Sequence, residues 1–173
     1  MDAIQAILTR KSVRAFIDQG ISKGDIHTIL QAGMSGPTCV NSRPWSFIVV
    51  EEREKLAQMA QANGNPAKPL KNAALGILVC GDLNRAFPPA PDYWVIDGAI
   101  AAQNMILAAH ALGIGSVWLG TWPQMDRVEK QRALFGLPEE IVPHSILAFG
   151  YPVKEDCAQR DLFEEDRVHF ETW

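Results

Sequence analysis

YWVIDGAIAAQNMILAAHALGIGSVWLGTW, residues 93–122, is the stretch that decides the fold. No Asp, Glu, Lys or Arg follows Asp97 within it, and as far as Leu112 the apolar residues fall on every face of a helix. Many of these residues are alanines, so the pattern predicts a helix that is buried all round against close neighbours. The layers that cover such a helix are supplied either by the same chain or by a second copy of it.

A short buried strand is predicted directly after that helix. The helical pattern stops at Gly113, and the apolar run Val117-Trp118-Leu119 ends at Gly120. A membrane span is not expected, because polar side chains interrupt the apolar helix and would lack partners in a bilayer. These polar residues are Asp97, Gln103, Asn104 and His110.

The composition is that of one soluble globular domain spanning residues 1–173. The chain has 47% hydrophobic and 21% charged residues, and its length is sufficient for one ordinary core. Its net charge of -4 disfavours a nucleic-acid binder that works by attraction to phosphate, since such domains are basic. No nucleic-acid partner is therefore expected.

Cysteine and histidine spacing favours a cytoplasmic protein without a bound metal. The three cysteines form no CxxC pair, and an odd number cannot close a disulfide framework. The first ten residues carry an acid at position 2 and no long apolar core, so they do not resemble a secretion signal. The four histidines lie at no metal-ligand spacing. The cysteines are Cys39, Cys80 and Cys157, and the histidines are His27, His110, His144 and His169.

Local patterns predict the remaining helices and strands. Asp2 and Ser22 stand where helix N-caps are expected, and Gly136 follows an amphipathic segment as a C-terminal stop. The run Ile77–Cys80 lacks alternation, as in a strand covered on both faces, so Cys80 is expected to be a small buried hydrophobic residue. Helices are predicted at 3–10, 23–34, 52–61 and 124–135, strands at 47–50, 75–80 and 145–149, and a turn at 63–69.

Two polar segments are candidates for ligand binding. The cluster Arg10-Lys11-Ser12-Val13-Arg14 places three cations around one serine. Such cations complement the dipole of a helix C-terminus, and the same donors suit a phosphate. The segment GPTCVNSRPW at 36–45 is dense in hydroxyl, amide and guanidinium groups, and it is either a solvated connector or a ligand cradle.

Two further segments are defined by their proline and aromatic content. Residues 85–93, which include the proline-rich stretch 87–91, form either a lid over a site or a rigid connector. The tail from 151 to 173 is charged and ends in Val168, Phe170 and Trp173. Because it cannot bury those side chains alone, it is expected to lie across another surface, such as a partner subunit.

Four segments, in this order and spacing, resemble the nitroreductase family of FMN-dependent oxidoreductases. They are RKSVRAF at 10–16, PTCVNSRPWSF at 37–47, DGAIAAQNMILAAHALGIGSVWLG at 97–120 and RVHFETW at 167–173. No GxGxxG occurs that would indicate a Rossmann dinucleotide site. The resemblance implies an α+β fold with a central mixed, mainly antiparallel sheet flanked by helices. It also implies an interlocked homodimer in which each subunit contributes to both FMN sites.

The resemblance implies a set of FMN-binding residues. Arg10 and Ser12, with Lys11 beside them, correspond to the phosphate site, and Arg14 to the cation at the pyrimidine edge of the flavin. Charge-assisted donors hold a dianionic phosphate, and a cation near N1 and O2 favours the reduced anionic ring. The other implied contacts are Pro37, Thr38, Cys39 and Asn41 from the partner subunit, Trp118, Leu119 and Gly120 at one flavin face, and Arg160 at the phosphate.

Two of these residues need a separate comment. Glycine at position 120 lets the backbone approach flavin N5 closely. Cys39 stands where the family often has serine, and it is either a weaker flavin contact or a catalytic thiol.

The implied activity is hydride transfer from NADH or NADPH, through flavin N5, to a flat small-molecule acceptor such as a nitroaromatic or a quinone. No catalytic side chain is expected, since the chemistry belongs to the flavin. One alternative is a specialised relative that performs dehalogenation, enone reduction or destruction of the flavin; another is a non-catalytic flavin-binding module. Little sequence is inserted between Gln61 and Tyr93, so the pocket is either open or roofed by 87–91.

Overall fold

The chain folds into a four-stranded antiparallel sheet with helices on both faces. The computed structural model describes residues 1–154, 158–159 and 162–173. The helices are α1 (Ala3–Thr9), α2 (Lys23–Met34), α3 (Arg53–Asn63), α4 (Tyr93–Ala111) and α5 (Met125–Phe135). The strands are β1 (Trp45–Val50), β2 (Leu75–Asp82), β3 (Gly115–Gly120) and β4 (Ile141–Gly150), and short 3-10 helices occupy Cys39–Asn41, Asn65–Asn72 and Glu165–Arg167.

Local signals set the helix ends as the sequence predicts. The Asp2 carboxylate accepts the Gln5 N–H at 2.9 Å and begins α1, and the Ser22 hydroxyl accepts the Asp25 N–H at 3.1 Å and begins α2. Gly136 ends α5 in the left-handed conformation, with φ of 61°. The caps supply partners for backbone groups that a helix leaves unpaired at its ends.

The sheet has the strand order β1-β2-β4-β3, and each neighbouring pair is antiparallel. Strands β2 and β4 are central and almost wholly buried, which explains why neither shows polar alternation. Among the described residues, the parallel pairing is the isolated bridge between Ser12 and Ser116. This bridge adds the segment after α1 to the outer edge of β3.

The sheet separates two apolar cores and gives the molecule three layers. On one face, α3, α5 and the 3-10 helix Asn65–Asn72 pack against side chains that include Cys80 and Leu119. On the other face, α2 and α4 pack against side chains that include Ile77 and Phe149. This α+β arrangement confirms the predicted fold class. Cys80 is 1% exposed, so its prediction as a buried hydrophobic residue is also confirmed.

One sequence-based expectation about local structure is wrong, and another stays a prediction. Residues 65–72 form a 3-10 helix, not a plain turn, because Ala67 and Leu70 are fully buried beneath the sheet. Helix α4 is covered only in part by its own chain, since Tyr93 is 44% and Ile96 is 53% exposed. Its burial all round, with a second copy supplying the remaining layer, stays a prediction. Helix α4 therefore has more apolar surface than the described part of this chain buries.

The connector and the tail have simple conformations. Residues 83–92 form successive turns between β2 and α4, and most of the proline-rich part is exposed. In the described part of the tail, Phe170 is 84% exposed and Trp173 is fully exposed. No helix among the described residues is both long and apolar enough to cross a membrane.

Candidate active site

The basic segment that follows α1 is held against the beginning of β3. The Val13 N–H donates to the Ser116 carbonyl at 2.8 Å, next to the Ser12–Ser116 bridge. A Cβ atom at Gly115 would lie 2.9 Å from the Val13 side chain, so glycine permits this close approach. The segment is therefore fixed by backbone contacts, and its cations project from a rigid strand edge.

A cleft of about 670 Å³ opens beside this segment, between the C-terminal end of α4 and the residues after β4. The cations Lys11, Arg14 and Lys154 line it together with the Ser12 hydroxyl and the His110 ring. None of the described lining residues carries a carboxylate. The donor set therefore suits an anionic ligand, and a phosphate matches it in both charge and hydrogen bonding.

His110 contributes an imidazole to this cleft, and its hydrogen bonds assign one of its ring protons. The Thr9 hydroxyl donates to the Gln5 carbonyl at 2.7 Å, so at its 2.8 Å contact with His110 Nε2 it acts as the acceptor. Nε2 therefore carries a proton. Burial, reinforced by the charge of Arg10, lowers the pKa of His110. The ring is a further polar group at the cleft that no sequence pattern marked.

The other arginines predicted to bind FMN, at the phosphate or at the flavin ring, are placed as follows. Arg10 ends α1, is half-buried and acts electrostatically on His110. Arg14 is exposed, and its guanidinium reaches the Ser12 carbonyl at 3.5 Å. Arg160 lies outside the described residues.

The loop 37–43 lies at the opposite end of α4 from this cleft. Its Cys39 N–H donates to Asp97 Oδ1 at 3.0 Å, and Asp97 stands near the beginning of α4. His110 follows Asp97 by 13 positions on the same helix, which corresponds to about 20 Å along the helix axis. Pro37, Thr38, Cys39 and Asn41 are thus not brought to the cation-lined cleft of their own chain.

The end of β3 leaves open space beside a firmly held backbone. A Cβ atom at Gly120 would meet no atom of residues 1–154, 158–159 and 162–173 within 4 Å. The Gly120 carbonyl accepts from Asn63 Nδ2 at 3.1 Å and from Arg127 Nη1 at 2.9 Å, while the Thr121 hydroxyl donates to Asn63 Oδ1 at 2.9 Å. Asn63 and Thr121 are fully buried, so this polar network fixes the position of the strand end.

Aromatic rings surround the same strand end. Trp118 points to the α4 face of the sheet, is 36% exposed and meets the ring of His144 edge to face at 5.6 Å between centroids. His144 also meets Trp94 edge to face at 5.8 Å. Burial lowers the pKa of His144 to about 4, although its hydrogen bond with the Val95 backbone opposes the shift. His144 is therefore neutral near pH 7. Leu119 points the other way, into the core of the α3 face.

The two described cysteines differ in their surroundings. Burial raises the pKa of Cys80 to about 12, with Arg132 opposing, so Cys80 stays a thiol at neutral pH. Cys39 is half-buried, and the contact that fixes it is made by its backbone N–H. Among the described residues, no group of three or more His, Cys, Asp or Glu side chains is arranged to hold a metal ion.

Several residues that shape the site were not singled out from the sequence. Asp97 could have been singled out, because a carboxylate within an otherwise apolar helix is unusual. Asn63, Thr121 and Arg127 carried no local signal, because their roles depend on contacts between distant elements.

The arrangement fits a ligand with an anionic group and a flat ring. The cleft offers cations and a hydroxyl for the anion. The strand end offers an exposed indole and open space beside a glycine. FMN has both parts, a phosphate and a planar isoalloxazine ring, so the residues present fit this cofactor.

The chain is similar to known proteins along its whole length. A family model described as "Nitroreductase family" matches residues 7–87 and 61–151. A Methanothermobacter thermautotrophicus protein named "Putative NADH dehydrogenase/NAD(P)H nitroreductase" is 44% identical over 173 residues, covering 100% of this chain and 88% of that protein. A Bacillus subtilis protein named "FMN reductase (NADPH)" is 27% identical and covers 99% of this chain and 74% of its own length.

Solved structures agree with the sequence comparisons. A Clostridium difficile FMN-dependent nitroreductase is 30% identical with a TM-score of 0.90, covering 98% of this chain and 99% of that one. The Vibrio harveyi NADPH:FMN oxidoreductase, solved in complex with NAD⁺, is 26% identical with a TM-score of 0.86, covering 99% of this chain and 77% of that one. The family match spans most of the sequence, and the fold agrees with it. The chain belongs to the nitroreductase family.

Proposed function

We propose that this chain, an FMN-dependent NAD(P)H oxidoreductase, binds FMN so that the flavin can pass hydride from NADH or NADPH to a flat electrophilic acceptor such as a nitroaromatic or a quinone. The observation that carries the proposal is the cleft, which is lined by three cations and one serine and, among the described residues, by no carboxylate. The cleft lies at the edge of β3, the strand that ends at Gly120. The protein's own residues bind, orient and electrostatically tune the cofactor.

The basic segment supplies the phosphate end of the site. Arg10, Lys11 and Ser12 provide charge-assisted donors for the phosphate, and Arg160 is proposed to add a further cation. Arg14 is assigned to the pyrimidine edge of the ring. Because its charge attracts the anion formed on reduction, Arg14 favours the reduced cofactor over the oxidised one.

The end of β3 supplies one wall for the ring. Trp118 and Leu119 lead to Gly120, whose lack of a side chain would let the backbone approach a bound flavin ring closely. The hydrogen bonds from Asn63 and Arg127 hold that backbone in place without requiring contact with the ligand. A backbone N–H group that is held in place in this way is an effective donor to a ligand, because it needs no rearrangement during the reaction.

A second copy of the chain completes the site in this proposal. The loop carrying Pro37, Thr38, Cys39 and Asn41 lies at the far end of α4 from the cation-lined cleft. We assign this loop to the flavin of the partner subunit, as the family resemblance implies. The exposed apolar residues Ile4, Ile7 and Ile96 offer surface for such an interface.

The test is a spectroscopic and kinetic experiment on the purified full chain. A flavin absorbance spectrum is expected, and anaerobic mixing with NADH or NADPH should bleach it. A nitroaromatic or a quinone should then restore the oxidised spectrum and sustain turnover. Bound flavin that neither coenzyme bleaches would contradict the proposed reaction and leave a non-catalytic flavin-binding module. A bleached flavin that neither acceptor reoxidises would contradict the proposed acceptor class.

A further inference from the structure

The loop after α2 contains a strained turn. Val40, Asn41 and Arg43 have φ of 46°, 57° and 51°, which is the left-handed region. A non-glycine residue is strained in this region, and a β-branched residue such as Val40 is a clear outlier. The turn, defined here as residues 38–43, therefore persists only because its surroundings hold it in place.

Hydrogen bonds within the turn account for its shape. The Thr38 carbonyl accepts the Asn41 N–H at 3.0 Å, and the Thr38 hydroxyl accepts the Arg43 N–H at 3.1 Å. The Cys39 carbonyl accepts the Ser42 N–H at 2.9 Å. The bond that ties the turn to α4 runs from the Cys39 N–H to Asp97 Oδ1 at 3.0 Å.

Asp97 makes this bond from an unfavourable position. Its side chain belongs to an apolar helix, the residue is 3% exposed, and its Oδ2 atom has no hydrogen-bond partner in the described part of the chain. Burial raises the pKa of Asp97, while the hydrogen bond from Cys39 opposes that shift. An unsatisfied buried polar group destabilises a fold, so packing alone does not explain a carboxyl group here.

Unpartnered polar atoms concentrate at the same place. Four buried side-chain nitrogen or oxygen atoms lack partners among the described residues, and three of them belong to Ser42, Trp45 and Asp97. Ser42 lies in the turn, Trp45 is the first residue of β1 beside the turn, and Asp97 anchors the turn to α4. Strain and unsatisfied polar groups together mark a functional element.

We propose that Asp97 is a positioning residue for the cofactor site of the partner copy, because it fixes the turn that reaches across. The inference rests on the proposed function, in which the turn and the basic segment of one FMN site come from different copies. Helix α4 then serves two sites: its Asp97 end shapes the partner's site, and its His110 end lines the site of its own chain.

Three substitutions at position 97 and one control test the positioning role. Asp97→Asn keeps an oxygen acceptor for the Cys39 N–H, whereas Asp97→Ala removes it. Asp97→Ser is a second loss variant, since its hydroxyl can bond within α4 but is too short to reach the turn. Asp92→Ala removes an exposed acid from the beginning of the same helix.

The measured quantity is FMN affinity of the full-length dimer, together with its melting temperature. Asp97→Ala and Asp97→Ser should weaken FMN binding about ten- to hundred-fold, the range for losing a hydrogen bond to a charged group. Asp97→Asn and Asp92→Ala should stay close to the parent protein. Equal FMN affinity in all four variants overturns the proposal, as does a loss for Asp97→Asn as large as that for Asp97→Ala.

Mixing subunits tests whether Asp97 acts on the partner's site. In a heterodimer of Asp97→Ser and Arg10→Ala chains, one site carries both defects and the other carries neither. Random pairing should therefore restore tight FMN retention to about a quarter of all sites, although each variant alone retains little. No restoration overturns the proposal while leaving the enzyme assignment intact. A parent protein that binds no FMN overturns both.

Discussion

Arg10 and Arg14 stand four positions apart, yet the proposed function assigns them to different parts of the cofactor. Arg10 is half-buried at the end of α1, where a cation is held in place beside Thr9 and His110. Arg14 is exposed at the rim of the cleft. A held cation suits a fixed phosphate, and a rim cation can meet the edge of a larger ring.

Arg10→Ala should therefore separate FMN from riboflavin. The loss of a charge-assisted contact to phosphate should weaken FMN binding by about 1.5–3 kcal/mol, and riboflavin, which has no phosphate, should bind almost as before. Fluorescence titration of the flavin-free protein with both ligands measures the difference. If the two affinities fall together, Arg10 supports the fold and does not bind the phosphate.

Arg14→Gln should act on the reduction potential. In the proposed site, the guanidinium would stabilise the anionic reduced ring more than the neutral oxidised ring. Its removal should therefore lower the potential while much of the oxidised FMN stays bound. A differential interaction of about 1.4 kcal/mol corresponds to roughly 30 mV for a two-electron couple. Dye equilibration measures the potential, and Lys130→Gln, at an exposed position of α5 that does not line the cleft, is the control. An unchanged potential would show that Arg14 is a surface cation that does not act on the flavin ring.

The sequence predicted the basic segment and the strand end as site residues, but it could not predict what holds them. The cations formed a visible cluster, and Gly120 ended a visible apolar run. Asn63, by contrast, supports Gly120 from the end of α3, 57 positions away. A long-range hydrogen bond between single polar residues leaves no periodic pattern, so only the folded arrangement reveals it.

At the scale of elements, α4 and β4 meet through a buried histidine. His144 is 5% exposed and packs against Gly98, where a Cβ atom would approach its ring to 3.2 Å. Its Nδ1 is 3.0 Å from the Ser145 hydroxyl. A neutral ring fits this apolar contact between layers, whereas a protonated ring would place a charge inside it.

His144→Gln should therefore flatten the acid dependence of stability. Since the pKa of His144 is about 4 in the fold and 6.5 in the unfolded chain, the unfolded chain binds the proton first as the pH falls. Its contribution is constant above pH 6.5 and is lost between pH 6.5 and about 4, for a total of about 3 kcal/mol.

Urea unfolding of the flavin-free protein between about pH 7 and about pH 4.5 measures this slope. His27→Gln, at an exposed position of α2, is the control for replacing a histidine on the surface. The parent protein and His27→Gln should lose stability in parallel, and His144→Gln should lose less. Three parallel curves would show that the burial of His144 carries no such penalty.

The elements themselves were largely predictable, because caps, apolar periods and glycine stops act over a few residues. The error at residues 65–72 arose because Pro66 and Pro69 suggest a turn, while burial of Ala67 and Leu70 favours a compact 3-10 helix. The covering of α4 was not predictable either. The sequence of an apolar helix predicts that another layer packs on it, but it does not indicate which chain supplies that layer.

At the scale of the whole molecule, apolar surface is left without a covering layer. In the described tail, Phe163 is 75%, Phe170 is 84% and Trp173 is fully exposed. On the body of the chain, Ile4 is 66% and Ile96 is 53% exposed. Large side chains of this kind on two separate surfaces favour an assembly in which the tail of each chain lies on its partner.

Deleting residues 162–173 should weaken the dimer and the retention of FMN together. Phe170 and Trp173 each stabilise an interface by about 1.5–3 kcal/mol when buried, so the dissociation constant of the dimer should rise more than a hundred-fold. Sedimentation with simultaneous detection at flavin and protein wavelengths measures both properties on one sample. A double substitution, Phe170→Ser with Trp173→Ser, keeps the chain length and should reproduce most of the loss.

The pattern of loss distinguishes the possible positions of the tail. If the tail packs on the partner and supports its FMN site, sedimentation of the truncated chain should show monomers that have lost their flavin. A truncated dimer without flavin would mean that the tail completes the site but adds little to the interface. A truncated dimer that stays fully yellow would contradict the wrapped arrangement, because the exposed aromatic residues would then serve neither the partner nor the cofactor.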